Sequence, residues 1–102
     1  MPLDTDNHTA SYVLGRIYAV IERHPRRGYN NIDRWLKQAM EQPGTTFPRL
    51  LDMYDHHNKA ADRLITGLMN RLIAPLPLTL DRIDQSSFCL GWRHQRGVYE
   101  AR

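Results

Sequence analysis

Five histidines, one cysteine and two adjacent serines are the side chains through which this 102-residue chain could do metal or nucleophilic chemistry. His56 and His57 are consecutive, so on a helix they diverge by about 100° and cannot ligate one ion together. Asp52 and His56 stand four apart and could share a helix face, but two ligands without a third make an incomplete site. The sequence contains no His-Glu-x-x-His pattern. Cys89 stands alone, which excludes an internal disulfide and a thiolate zinc cage. Ser86 and Ser87 precede His94 by about two helical turns, too far for a nucleophile and its base. The six glycines are scattered rather than gathered into a phosphate-cradling loop. These residues predict a protein that is not an enzyme and needs no metal or cofactor.

Cationic chemistry is better represented. The chain carries 14 basic residues against 11 acidic ones for a net charge of +3, and every base except Lys37 and Lys59 is an arginine. Arginine is the planar, bidentate cation suited to phosphate and to crowded interfaces. The first nine residues hold Asp4 and Asp6 and no base, so residues 10–102 sum to +14 − 9 = +5. On a first helix Arg16 and Arg23 lie about 20° apart and about 120° from the apolar stripe. With Arg26 and Arg27 just beyond, they form an expected four-arginine ridge, relieved only by Glu22. Arg34, Lys37, Lys59, Arg63, Arg93 and Arg96 also project from faces that the apolar residues do not use. Asp33, Glu41, Asp55 and Asp62 stand within about a turn of a base, so a salt-bridged, solvated surface is the plainer reading of many of these charges. The ridge would track a phosphate backbone without sequence preference, in a strongly salt-dependent way. Tyr12, near Arg16, and Tyr29, near Arg27, are expected off the core, where they could stack on a base or pack at an interface.

The elements that position these residues are helical. Thr9 or Ser11 opens a first helix with Ala10, Val13, Leu14, Ile17 and Ile21 at helical spacing, ending near His24-Pro25. Asn30 or Asn31 caps a second helix bearing Ile32, Trp35, Leu36, Ala39 and Met40, which Gln42-Pro43-Gly44 stops. Thr46 caps a third, with Pro48 in its first turn and Phe47, Leu50, Leu51 and Tyr54 on its inner face. A fourth carries Ala61, Leu64, Ile65, Leu68, Leu72 and Ile73, and continues from the third through His56-His57-Asn58 or breaks there. Ala74 to Leu78 is the non-helical connector. Thr79, Asp81 and Arg82 start a short fifth element, and a last helix from about Gln85 to Tyr99 buries Phe88, Trp92 and Tyr99. Gly15, Gly67, Gly91 and Gly97 fall inside helices, where glycine costs about 1 kcal/mol against alanine, so close approach of another helix or chain is their expected use. No period-2 segment predicts a strand. The expected fold is all-α: a single compact bundle of about five helices over residues 10–102, preceded by a flexible leader over 1–9.

Composition agrees with a soluble domain: 41% hydrophobic and 25% charged residues. No run approaches the roughly 18 apolar residues of a membrane span. The acidic start lacks the features of an export signal, so a cytoplasmic location is expected.

Three stretches in order carry a resemblance: residues 12–22 (Tyr-Val-Leu-Gly-Arg-Ile-Tyr-Ala-Val-Ile-Glu), Phe47-Pro48-Arg49-Leu50-Leu51 followed by His56-His57, and Leu90-Gly91-Trp92-Arg93-His94-Gln95-Arg96. Together they resemble the C-terminal end of the large subunit of the type I-C CRISPR–Cas surveillance complex, Cascade, over about residues 10–97. The chain covers that end alone and opens on Met1, as expected of a separately translated small subunit and equally of a C-terminal domain cut from the large subunit. The short segment before the last helix and the basic Arg26-Arg27 turn depart from the resemblance. It implies a helical, non-catalytic subunit that contacts the Cascade backbone and large subunits and further copies of itself. It also implies that a basic face stabilises the R-loop. That face would hold the displaced non-target DNA strand, and possibly meet the guide RNA–DNA heteroduplex, while base pairing reads the sequence. Arg16, Arg93 and Arg96 carry over from the motifs as nucleic-acid-binding residues, whereas Arg23, Arg26 and Arg27 rest on charge geometry. Two other readings stay open. One is an adaptor whose arginines anchor protein interfaces. The other is a free-standing helical DNA-binding regulator, although no helix start carries the polar cluster that base reading needs.

Overall fold

Between Ser11 and Ile21 the chain places one charged residue among eleven, and all eleven are buried. That segment is the body of α1 (Ala10–Arg23), the axis around which the molecule packs. A helix apolar on every side has no solvent face to offer, and here the other elements enclose it. The structure is a computed structural model that describes residues 3, 7, 9–29, 31–72 and 75–101. Expectations placed on Asn30, Ile73, Ala74 and most of the 1–9 leader fall outside those residues.

After α1 come a 3-10 turn (Ile32–Trp35), α2 (Leu36–Glu41), α3 (Pro43–Leu50), α4 (Lys59–Met69) and α5 (Arg82–Glu100). The described residues form the expected all-α bundle, with five α-helices among them and a Cα radius of gyration of 12.4 Å. Among the described residues the sole β-type pairing is an isolated antiparallel bridge between Pro25 and Tyr54. There the Arg26 N–H donates to Met53 O at 2.6 Å and the Asp55 N–H to His24 O at 2.8 Å, tying the end of α1 to the α3–α4 connection.

Two local expectations change, and the alternative left open between the third and fourth helices is decided. Gln42-Pro43-Gly44 does not merely stop α2: the chain breaks at Gln42 alone and Pro43 is the first residue of α3, where a missing N–H does no harm. Thr46 is therefore inside α3 rather than its cap, buried, with its hydroxyl donating to Gln38 O at 3.3 Å, and Pro48 sits in the helix interior. The chain breaks between α3 and α4, where Asn58 caps α4 by accepting from the Ala61 N–H at 3.1 Å. The short fifth element and the last helix are one: Asp81 accepts from the Asp84 N–H at 2.8 Å and α5 runs unbroken from Arg82.

The α1–α5 pairing dominates the core. It is made close by Gly15 and Gly91, each set against the backbone of the other helix. Around it Phe88 meets Tyr18 and Phe47, with ring centroids 6.1 and 6.2 Å away. Leu50, Ile65, Leu68 and Ala39 close the remaining sides. The Tyr18 hydroxyl donates to Ile32 O, which pins the 3-10 turn to α1. Ala10, read as part of the apolar stripe, is exposed at the helix entrance.

Candidate nucleic-acid interface

The expected four-arginine ridge is divided. Arg23, Arg26 and Arg27 are exposed, whereas Arg16 is 3% exposed. The correction has a physical cause. A helical wheel assigns one face to solvent, but α5 and α4 cover the side of α1 on which Arg16 projects. Its Nε donates to Gln95 Oε1 at 3.0 Å, a contact between two buried side chains, while Nη1 is buried with no hydrogen-bond partner. Burial, and then neighbouring Arg71, hold this guanidinium below its ordinary pKa. Tyr12 is likewise buried rather than surface-exposed, its hydroxyl 2.7 Å from His94 Nδ1. Tyr29 is exposed, as expected.

The remaining three arginines cluster where α1 ends. Arg23 occupies the last turn, where positive charge complements the helix dipole, and its guanidinium stands 5.6 Å from the Tyr99 ring centroid. Arg26 and Arg27 ride a turn closed by the Tyr29 N–H to Arg26 O at 3.0 Å, with Gly28 at φ 98° supplying the left-handed residue. Arg26 Nη1 reaches Asp52 O at 3.5 Å. Among the described residues none of Arg23, Arg26 and Arg27 forms an ion pair, so their charge is available to a partner.

On α5 the two expected residues differ. Arg96 is engaged: its Nε is 3.7 Å from Glu22, its Nη2 is 3.7 Å from Glu100, and it stacks 4.7 Å over the Trp92 ring. Trp92 Nε1 donates to the same Glu22 carboxylate at 3.2 Å. Arg96 thus ties α5 to α1. Arg93 is exposed and lines a groove of about 570 Å³ with Arg82, Ser86, Cys89, Leu90 and Met40. Arg82 is a residue that sequence reasoning missed. Its spacing of eleven from Arg93 puts the two within about 20° on one helix, a signal hidden by assigning Arg82 to a separate element. Cys89 lies in this groove with its Sγ 3.2 Å from Met40 Sδ.

The histidines are distributed among structural contacts. His56 stacks on Tyr54 at 3.9 Å, contacts Leu51 O at 2.9 Å through Nε2, and lies 4.0 Å from Asp62. Asp52 does not join it. His24 Nδ1 is 3.1 Å from the Asn58 amide nitrogen, and burial followed by Arg23 lowers its pKa. Among the described residues no three His, Cys, Asp or Glu side chains gather to hold a metal, and no helix is long and apolar enough to cross a membrane.

Comparison with protein families returns a match to the model described as "CRISPR-associated protein (Cas_Csd1)" over residues 1–99. No curated protein matches the chain.

Proposed function

The chain belongs to the CRISPR-associated Cas_Csd1 family, and from that premise we propose that it is the non-catalytic small subunit of a type I-C Cascade. In this role it binds the backbone and large subunits and steadies the R-loop by contacts to the displaced non-target strand. The observation that carries the reading is the trio Arg23, Arg26 and Arg27, exposed together at the end of α1 with no acidic partner among the described residues. A cationic cluster without base-reading side chains suits a strand held by its phosphates. Guide RNA supplies the sequence specificity, so the subunit needs none of its own.

A specific observation also favours an adaptor role for the other end of α5. Leu90, 44% exposed, lines the groove with Arg82 and Arg93, and Ile83, 80% exposed, follows Arg82 in the first turn of the same helix. Apolar side chains framed by arginines suit a protein neighbour better than a nucleic-acid strand. The two surfaces are compatible, one facing the strand and one facing a subunit.

Photocrosslinking tests the division. In the assembled complex bound to target duplex, a crosslinker at Arg27 is expected to capture the non-target strand and one at Leu90 to capture protein. Capture of protein alone from both positions would leave the adaptor reading and remove the strand contact.

A further inference from the structure

A cavity of about 470 Å³ opens between α1, α4 and α5. Arg16 and Gln95 form part of its wall, Arg23, His24 and Asn58 another, and Ala60 lies in the first turn of α4. No carboxylate lines it among the described residues. Arg16 is 97% removed from solvent, yet among the described residues its hydrogen bond runs to neutral Gln95 and its Nη1 has no partner. A buried guanidinium is ordinarily paired with an acid, and none of the described residues supplies one to Arg16.

Two further features of the cavity have the same sign. Arg23 adds a second guanidinium. The eleven-residue α4 presents its N-terminal end there, with the Ala61 N–H already used by the Asn58 cap and the Lys59 and Ala60 N–H groups ahead of the first intrahelical bond. A helix N-terminus beside two arginines favours an oxyanion.

We infer that this cavity is a phosphate-binding pocket, with Arg16 as its buried anchor, Arg23 at its edge and the first turn of α4 as its backbone donor. The ligand chemistry is a tetrahedral phosphate oxyanion. Its source is either a backbone phosphate of a nucleic-acid strand or free inorganic phosphate. The first source rests on the proposed strand contact and places one phosphate in a pocket rather than on the surface. The second is independent of that reading.

The test is a 1H–15N NMR titration of the full chain with sodium phosphate at constant ionic strength, followed at the Arg16 side-chain Nε–H and the Ala60 amide. Saturable shifts at both are expected, with affinity weakened about tenfold or more in Arg16→Met. A similar direction is expected in Arg23→Gln, an exposed change that leaves the core intact and serves if Arg16→Met does not fold. Arg49→Gln, remote from the cavity, is the control and should match wild type. Absence of saturable shifts in the wild-type chain, or equal affinity in the variants, overturns the pocket.

A second titration with a twelve-residue oligothymidylate separates the sources. Shifts at Arg16 and Ala60 that phosphate competes away identify the strand. Phosphate binding without oligonucleotide binding identifies the free ion and counts against the strand contact. Oligonucleotide shifts confined to Arg26 and Arg27 would uphold the strand contact and refute the pocket as its phosphate site.

Discussion

Gly15 on α1 and Gly91 on α5 are matched across the helix crossing. A Cβ at Gly15 would fall inside van der Waals contact of Phe88 O and 2.9 Å from Trp92 N, and one at Gly91 would meet the Tyr12 carbonyl. The obstructing atoms are backbone, which has no rotamer with which to yield. Either substitution to alanine therefore pushes the two central helices apart. Overpacking of this kind costs about 1–3 kcal/mol, and the larger figure is expected for Gly91→Ala and Gly15→Ala. Urea denaturation of the purified chain is the measurement.

Gly67 is the contrasting case. It too stands inside a helix, but a Cβ there would meet nothing within 4 Å. Close packing does not explain it within this chain. Gly67→Ala is expected to raise stability by up to about 1 kcal/mol through helix propensity and a less flexible unfolded chain. A lowered melting temperature in the isolated protein would contradict this.

The Arg16–Gln95 contact makes opposite predictions for its two members. Gln95→Leu leaves a buried guanidinium without its one hydrogen-bond acceptor, 3.0 Å away, and is expected to destabilise the fold by about 1–3 kcal/mol. Arg16→Met removes the charge while keeping the aliphatic stem, so it should cost less than Gln95→Leu. Thermal melts of both variants at low phosphate concentration provide the comparison.

His24 gives the fold an acid-sensitive joint. Asn58 Oδ1 accepts from the Ala61 N–H, so its amide nitrogen is the group that faces His24 Nδ1 and the ring must accept there. Protonation of Nδ1 opposes that bond, and burial followed by Arg23 already hold the imidazole pKa below 6.5. With the folded value depressed, the unfolded chain binds the proton more readily, so stability is lost as pH falls through about 6.5 toward the folded value. The wild-type chain should lose more stability between about pH 7 and pH 5 than His24→Gln, measured by urea titration. Equal slopes would assign the acid response elsewhere.

Alkaline stability follows Tyr54. Burial and its hydroxyl bond to Asp62 Oδ1 at 2.6 Å push this phenol up to about 12, above the ordinary value of 10.0. The folded state therefore keeps a proton that the unfolded state releases, and stability falls as pH rises from about 10 toward 12. Tyr54→Phe should flatten that decline, and ultraviolet tyrosinate titration should show one fewer late-ionising phenol.

Much of this architecture can be read in the residues themselves. Ile32, Ala39, Phe47, Leu50, Ile65, Leu68 and Phe88 were expected in the core from helical spacing and are found there. Proline and the Asn58 region mark real breaks, and Gly15 and Gly91 marked a close approach. What the wheel missed was enclosure. It allotted Arg16 and Tyr12 an outer face, although one charge in eleven residues is the signature of a helix buried all round. The merging of Arg82 into α5 is hidden in the sequence because Thr79, Asp81 and Arg82 together read as the start of a separate short element, whereas Asp81 caps a nineteen-residue helix. Pairing was also beyond reach: nothing local tells that Arg96 is committed to Glu22 while Arg23 is not, since that partnership spans seventy-four residues of chain.

The central claim is that Arg23, Arg26 and Arg27 hold phosphates of the displaced strand. R-loop yield of the assembled complex on target duplex, measured against salt for wild type and for the triple alanine variant, tests it most directly. Each phosphate contact on a single strand contributes about 0.7 to the log–log salt slope. The account predicts lower yield in the variant and a slope shallower by about 2, with the complex still assembled. Equal yield and equal slope would contradict it.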